Sequence, residues 1–454
     1  MVLERVLAWS QIRIWSPGIL ISHVRTMNQL RRFAITYLFL FSLCFPQSLS
    51  PAHPSSGPLT IDQAVAEALE KNIELLAERY NVSLAEARLI TARLRPNPVV
   101  SLGGDHLDLL GTDYNEINRA GPQEFNFRTD FLLERGGKRR SRIDVAENSK
   151  SVAQLQLLNT IRGLVLDVQS TFVDVQLARD NLVLAQENLK ALNEIVEVNA
   201  ARVRAGDLAD VELVRTRVAA LQFQNAVRQA ELRLYSTRGR LELLLGRVSL
   251  SETLEVSGPL RHDTQVLSLD ELGKLAFQDR PDLLALRRDQ ARSAAEMRLQ
   301  IAQGKVDYTV GTEYRRQQGL AGTGNSLGFF FSAPLPVFNR NQGEIERARL
   351  EQQQVEARVR SLEAIIVNEV KTAYKQYSTA NALIETIEKD MLTQARDVRQ
   401  ITEYSYKRGE ATLIEFLDAQ RAFNETMQGY HEARAEYARS LYAIDSVSGK
   451  AVNP

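Results

Sequence analysis

Two periodicities divide this chain. Over Phe125-Asn126-Phe127-Arg128-Thr129-Asp130-Phe131, apolar and polar side chains alternate strictly, with Phe125, Phe127, Thr129 and Phe131 on one face and Asn126, Arg128 and Asp130 on the other. The stretch from Tyr308 to Arg315 repeats the pattern: Tyr308, Val310, Thr312 and Tyr314 share a face opposite Thr309, Gly311, Glu313 and Arg315. A period of two is that of a β-strand. The pattern predicts four strands, over 98–108, 123–133, 306–316 and 326–335. Elsewhere the apolar positions step by three and four, the spacing of a helix. Leu155, Leu158, Val165, Val168, Phe172, Val175, Ala178, Leu182, Ala185 and Leu189 form such a seam, of coiled-coil type, in a stretch that lacks proline. Very long helices are therefore expected over 138–204 and 340–407, broken at Gly206 and Gly409, with return helices over 208–246 and 411–448. A further helix, bent or broken into a hairpin, is expected over 60–94, started by Thr60 or Asp62 and stopped by Pro96 and Pro98.

These elements occur twice. Leu59, Asp62, Arg79 and Gly103 match Leu267, Asp270, Arg287 and Gly311, each pair 208 apart (311 − 103 = 208). Gly206 then falls opposite Gly409, and Gly246 opposite Gly449, both 203 apart (409 − 206 = 203). The chain divides accordingly into an N-terminal extension and signal (1–52), a first repeat (53–246), a linker (247–266), a second repeat (267–449) and a tail (450–454). Each repeat supplies only two strands. A sheet with polar residues on one face is either half-buried with its polar side in solvent or part of a membrane barrel around a wet lumen. A barrel needs at least eight strands, so four per chain require closure by other copies, and a trimer would supply twelve.

The 454 residues carry 56 Lys and Arg against 56 Asp and Glu, a zero net charge that lacks the basic footprint of a nucleic-acid binder. With one Cys and five His there is neither a disulfide framework nor a Cys/His metal cluster. Arg31-Arg32 followed by the apolar run Phe33 to Phe45 reads as an export signal, with cleavage expected after Ala52; Met27 is a natural start for it. Cys44 follows Leu43, where a lipidation signal would place a small residue. No Ser/His/Asp set or carboxylate dyad suggests catalysis. Gly136-Gly137-Lys138 lacks phosphate-loop spacing, and the basic run Lys138, Arg139, Arg140 and Arg142 is either a solvated helix start or a contact for lipid headgroups. His106 and His262 stand alone, so no metal site and no cofactor is expected.

Several motifs in order resemble the TolC-like outer-membrane efflux proteins. They are the opening Leu59 to Leu75, Val203-Arg-Ala-Gly206 followed by Asp210-Val-Glu-Leu213, and Tyr406-Lys-Arg-Gly409 followed by Leu413 to Gln420. Gly136 to Arg140 and Pro334 to Gly343 look closest to the cobalt–zinc–cadmium branch of that family. The resemblance spans residues 59–449. It implies an α+β membrane protein: a homotrimer with a twelve-stranded barrel in outer-membrane lipid, continued through the periplasm by an α-helical barrel. It further implies a passive efflux duct working with a periplasmic adaptor and a proton-driven inner-membrane transporter. Organic drugs or a protein secreted by a one-step exporter are the alternative cargo, and a periplasmic structural coiled-coil protein is the alternative class. By resemblance the gate lies at the helix-hairpin tips, where Glu415 and Asp418 line the constriction and Tyr406 bonds Glu212. Gly206, Asp207, Asp210, Gly409 and Glu410 form the tips on which the adaptor docks. The i, i+3 spacing puts Glu415 and Asp418 on one helix face, and threefold symmetry would gather six carboxylates, raising their pKa values. The family's basic latch two residues after the second glycine is replaced by Ala411. At the 203 offset, Glu415 and Asp418 correspond to Glu212 and Arg215, so only one tip has the paired acidic face.

Overall fold

A computed structural model describes residues 58–107, 109, 123–247, 254–263, 268–319 and 322–450. The expected signal, Cys44 and Met27 lie outside the described residues. Two short helices open the first repeat, α1 (Ile61–Lys71) and α2 (Ile73–Arg93), followed by β1 (Val99–Asp105), β2 (Glu124–Leu133), α3 (Lys138–Ala205) and α4 (Asp210–Leu244). The same order returns as α5 (Leu269–Asp279), α6 (Pro281–Gln303), β3 (Tyr308–Gly319), β4 (Gly322–Ser332), α7 (Gln342–Thr386), α8 (Leu392–Arg408) and α9 (Leu413–Val447).

Local chemistry starts these helices. Thr60 accepts from the Gln63 amide while the Gln63 side chain accepts from the Thr60 amide, a reciprocal cap of the first turn. Ser268 and Glu271 do the same for α5, and Thr412 and Glu415 for α9. The 68-residue α3 extends about 100 Å at 1.5 Å per residue. Its counterpart is not one continuous helix. A π turn at Ile387–Met391 separates α7 from α8, which places an extra residue in the hydrogen-bond ladder where an unbroken helix was expected.

The four strands form one antiparallel sheet in the order β1-β2-β3-β4. Phe127 lies opposite Tyr314 and Phe131 opposite Val310, so the apolar faces of the two repeats join into one. On the other face Arg128 pairs with Asp130 at 2.9 Å and Arg315 with Glu313 at 2.9 Å. β4 starts earlier than the expected 326–335, at Gly322, and ends earlier, at Ser332, since Pro334 and Pro336 cannot extend the ladder. Among the described residues, the outer edges of β1 and β4 have no neighbour. In lipid such edges must be paired.

The duplication is a duplication of core positions. Ala64, Ala68 and Leu75 pack with Leu164, Val168, Phe172 and Leu241 in the first repeat. Leu272, Ala276 and Leu283 pack with Ile366, Val370 and Ile444 in the second. The closing glycine of each repeat has a tertiary reason. Gly246, at φ 70°, lies where an added Cβ would stand 2.3 Å from the carbonyl oxygen of Lys71, at the corner between α1 and α2. Gly449, at φ 82°, would put one 2.9 Å from the carbonyl carbon of Asp279, between α5 and α6. Gly206→Ala meets only left-handed strain, since nothing stands within 4 Å. Gly246→Ala should therefore lower the midpoint of thermal unfolding well beyond Gly206→Ala, the strain alone being about 1–3 kcal/mol. Equal midpoints for the two variants would show that the corner yields freely.

Candidate functional site

Each helical hairpin turns on its glycine in the same way. Gly206 has φ 84° and Gly409 φ 82°. The amide of Asp207 donates to the Arg202 carbonyl at 2.8 Å, and that of Glu410 to the Ser405 carbonyl at 2.9 Å. This is the left-handed helix stop that glycine adopts without a Cβ penalty. Asp207, Asp210 and Glu410 are all exposed at the turns. The two tips adjoin: Arg202 Nη2 lies 3.2 Å from where a Cβ on Gly409 would be.

Behind the turns the hairpins share a small core of Leu192, Ile195, Ala219, Tyr406, Leu413 and Phe416. Ala411, where the family latch would be basic, packs against this core instead. The Tyr406 ring stacks on Phe416 with centroids 5.5 Å apart. Its hydroxyl meets the amide of Asn199 on α3, accepting from Nδ2 at 2.7 Å and facing Oδ1 at 3.0 Å. Asn199 Nδ2 also donates to Thr216 Oγ1 at 2.8 Å, and the Thr216 hydroxyl donates to the Glu212 carbonyl at 2.7 Å. Asn199 and Thr216 are fully buried.

This arrangement differs from the expected Tyr406–Glu212 bond. The Glu212 carboxylate takes Arg215 at 2.7 Å, one turn along its own helix, while the buried Tyr406 hydroxyl takes Asn199. The tyrosine thus still ties the second hairpin to the first, through a partner the sequence reading missed. The signal was present: Asn188, Leu192, Ile195 and Asn199 step by four, three and four, so two asparagines stand in an apolar stripe. A buried polar residue in such a seam fixes register at some loss of stability. Asn188 forms a second rung, donating to Asn424 Oδ1 at 2.8 Å and accepting from Gln420 Nε2 at 2.8 Å on α9. Farther from the tips, His431 meets Asn181 at 3.1 Å and Arg439 meets Asp174 at 2.7 Å. The seam between α3 and α9 is thus crossed by polar rungs at intervals.

Glu415 and Asp418 both lie exposed on the first turns of α9. Their single-chain chemistry is not that of a mutually repelling pair. Glu415 Oε2 accepts from the Thr412 amide at 2.7 Å and its hydroxyl at 2.9 Å, which holds the carboxyl below the usual glutamate range. The expected rise would have to come from the neighbouring copies and overcome this cap. Asp418 faces Arg421 at 3.4 Å, both largely exposed, a pairing of little strength. Among the described residues no cluster of three His, Cys, Asp or Glu side chains could hold a metal ion.

The chain is similar to proteins of one kind along nearly its whole length. The Cobalt-zinc-cadmium resistance protein CzcC of Cupriavidus metallidurans is 24% identical over 411 residues, covering 89% of this chain and 93% of its own. The Pyoverdine export outer membrane protein OpmQ of Pseudomonas putida is 25% identical and covers 80% of each chain. The crystal structure of CusC, described with its transmembrane channel formation, superposes with a TM-score of 0.71 at 18% identity, covering 86% of this chain and 92% of that one. The family model described as Outer membrane efflux protein matches twice, over residues 64–247 and 272–450, as the duplication requires. This chain therefore belongs to the outer membrane efflux protein family of passive channels, four strands per chain entering a trimeric barrel in the outer membrane with a helical barrel in the periplasm.

Proposed function

We propose that this channel is the outer-membrane duct of a tripartite efflux system for heavy-metal cations. It receives cargo through a periplasmic adaptor docked on the tips at Gly206, Asp207, Asp210, Gly409 and Glu410, and a proton-driven inner-membrane transporter supplies the energy. The likeness to the cobalt–zinc–cadmium resistance protein over 89% of the chain carries the choice of cargo. The acids at the second tip agree with it, since Glu415 and Asp418 repeated around a threefold axis make an entrance that favours cations. The pyoverdine-exporting relative supports the other reading, an organic cargo. Deleting the gene and restoring it on a plasmid separates the two. Loss of tolerance to cobalt, zinc or cadmium, recovered on complementation, is the expected result. Sensitivity to organic compounds with unchanged metal tolerance would assign the duct to the other cargo.

The proposed entrance makes its own prediction. Glu415→Gln with Asp418→Asn keeps the side-chain shapes and removes two charges per chain. In planar bilayers the variant trimer should lose cation selectivity and bind blocking divalent cations more weakly. Selectivity and block equal to the parent would remove these two acids from the gate.

A further inference from the structure

The segment between β4 and α7, residues 333–341, is apolar where it is most exposed. Leu335 is 85% exposed, Val337 63% and Phe338 91%. Polar contacts hold the loop in shape. Arg340 Nε donates to the Pro336 carbonyl at 3.2 Å, and its amide to Gln342 Oε1 at 2.8 Å. The Gln342 side chain donates to the Phe338 carbonyl at 3.1 Å. Asn341, itself at φ 65°, donates from Nδ2 to the Gln300 carbonyl at 2.8 Å, which anchors the loop to the end of α6. Pro334 and Pro336 stiffen its start. A loop built this firmly around its polar groups while presenting a phenylalanine outward is shaped for an apolar environment. The first repeat has no equivalent: only Glu134, Arg135, Gly136 and Gly137 join β2 to α3.

We propose that this loop is a foot seated in the periplasmic phospholipid leaflet of the outer membrane. The inference rests on the barrel spanning that membrane and adds where the chain outside the barrel meets lipid. Three observations select lipid as the occupant. The apolar outer face of β4, with Leu327, Phe329 and Phe331 at 66%, 79% and 66% exposure, runs directly into the loop. The loop leaves the strand toward α7, hence on the side of the helical barrel. Both strand-to-helix junctions carry an arginine that, among the described residues, pairs with no carboxylate. The Arg340 guanidinium bonds a backbone carbonyl, and Arg139, at the matching junction of the first repeat, bonds the Arg93 carbonyl at 2.8 Å. An aromatic ring at the acyl boundary beneath arginines at phosphate level is the arrangement of an interfacial anchor.

Tryptophan placed in the loop reports its surroundings. The two native tryptophans, Trp9 and Trp15, precede the expected cleavage after Ala52, so the added one is alone in the mature chain. Phe338→Trp and, as a barrel reference, Leu327→Trp are purified as trimers and reconstituted into phosphatidylcholine–phosphatidylglycerol vesicles. The vesicles carry bromine either just below the headgroups or deep in the acyl chains. Phe338→Trp should be quenched most by the shallow bromine, and Leu327→Trp more by the deep one. If Leu327→Trp is quenched and Phe338→Trp responds only to aqueous acrylamide, the foot stands in the periplasm and the proposal fails. If Phe338→Trp responds to neither quencher, a neighbouring subunit covers it, and the proposal fails equally. Lipid quenching of neither position would overturn the barrel placement itself, a separate failure.

Discussion

Asn199→Leu should open the periplasmic end of the channel. The substitution keeps the side chain's bulk and removes the bond between α3 and Tyr406 of the second hairpin, leaving the buried Tyr406 hydroxyl without its partner on α3. A stranded buried polar group costs about 1–3 kcal/mol. Charged to the closed arrangement alone, that shifts the balance of closed and open states by roughly 5–150-fold. Single-channel recordings of the trimer should show longer and more frequent large-conductance openings. Tyr406→Phe should do so more weakly, because Asn199 retains Thr216 at 2.8 Å. The double variant should fall back toward the parent, since replacing both partners of a buried hydrogen bond with apolar groups is close to neutral. Parent-like conductance from an intact Asn199→Leu trimer would mean that the bond is an ornament of the core and not a latch.

Arg280→Leu should be the most destabilising single change in the described part of the chain. Arg280 sits at the corner between α5 and α6 with its side chain 2% exposed. It donates to Asp282 at 2.6 and 3.1 Å and to Glu369 on α7 at 2.5 Å. Arg162 of α3, in the first repeat, lies 3.6 Å from Asp282 and donates to the Ser446 carbonyl of α9 at 3.1 Å. The cluster thus ties three elements of the second repeat to the first. Burial pulls the Arg280 pKa down and would raise that of Asp282, but their mutual hydrogen bonds prevail, so Arg280 ends above and Asp282 below its ordinary value. Breaking such a pair from one side leaves a buried charge behind and costs roughly 3–5 kcal/mol. Thermal unfolding of the detergent-solubilised trimer at neutral pH measures it.

The pH dependence has a definite sign. Asp282, depressed in the fold, stabilises above its unfolded pKa, and that contribution is lost as pH falls through the lower folded value. The gap between parent and Arg280→Leu should accordingly narrow in acid. A gap that holds constant down through the carboxylate range would mean that the loss is one of packing.

How far the sequence could be read depended on which forces were local. The strands were legible because alternation is a property of neighbours along the chain, as in Phe125 to Phe131. The start of the first helix was narrowed to Thr60 or Asp62 for the same reason, and Thr60 holds it through Gln63, a contact across three residues. The glycine at each tip was legible through duplication, and its left-handed φ supplies the reason. Glu415 shows the limit. Its place three residues after Thr412 is a capping signature as well as a gate position, and in the single chain the cap occupies the carboxylate. Arg280 was not singled out at all. It falls opposite Asn72, 208 residues earlier, and both stand at the corner between two short helices. Asn72 caps α2 and bonds the Leu244 carbonyl at 2.9 Å, whereas Arg280 gathers acids from its own corner and from α7. Nothing near either residue in sequence announces that divergence.

By itself the sequence determined the element order, the duplication and the two-faced character of the sheet, because each is written in spacings of two to seven residues or in identities at one long offset. Only the tertiary structure decided which distant groups meet: Asn199 with Tyr406 across 207 residues, Arg162 with Ser446 across 284, and Gly246 against the corner at Lys71. The physical reason is that a helix seam records only that a position is inward. Which partner it faces depends on the rotation and stagger of long helices against one another, quantities set by all the contacts along them together.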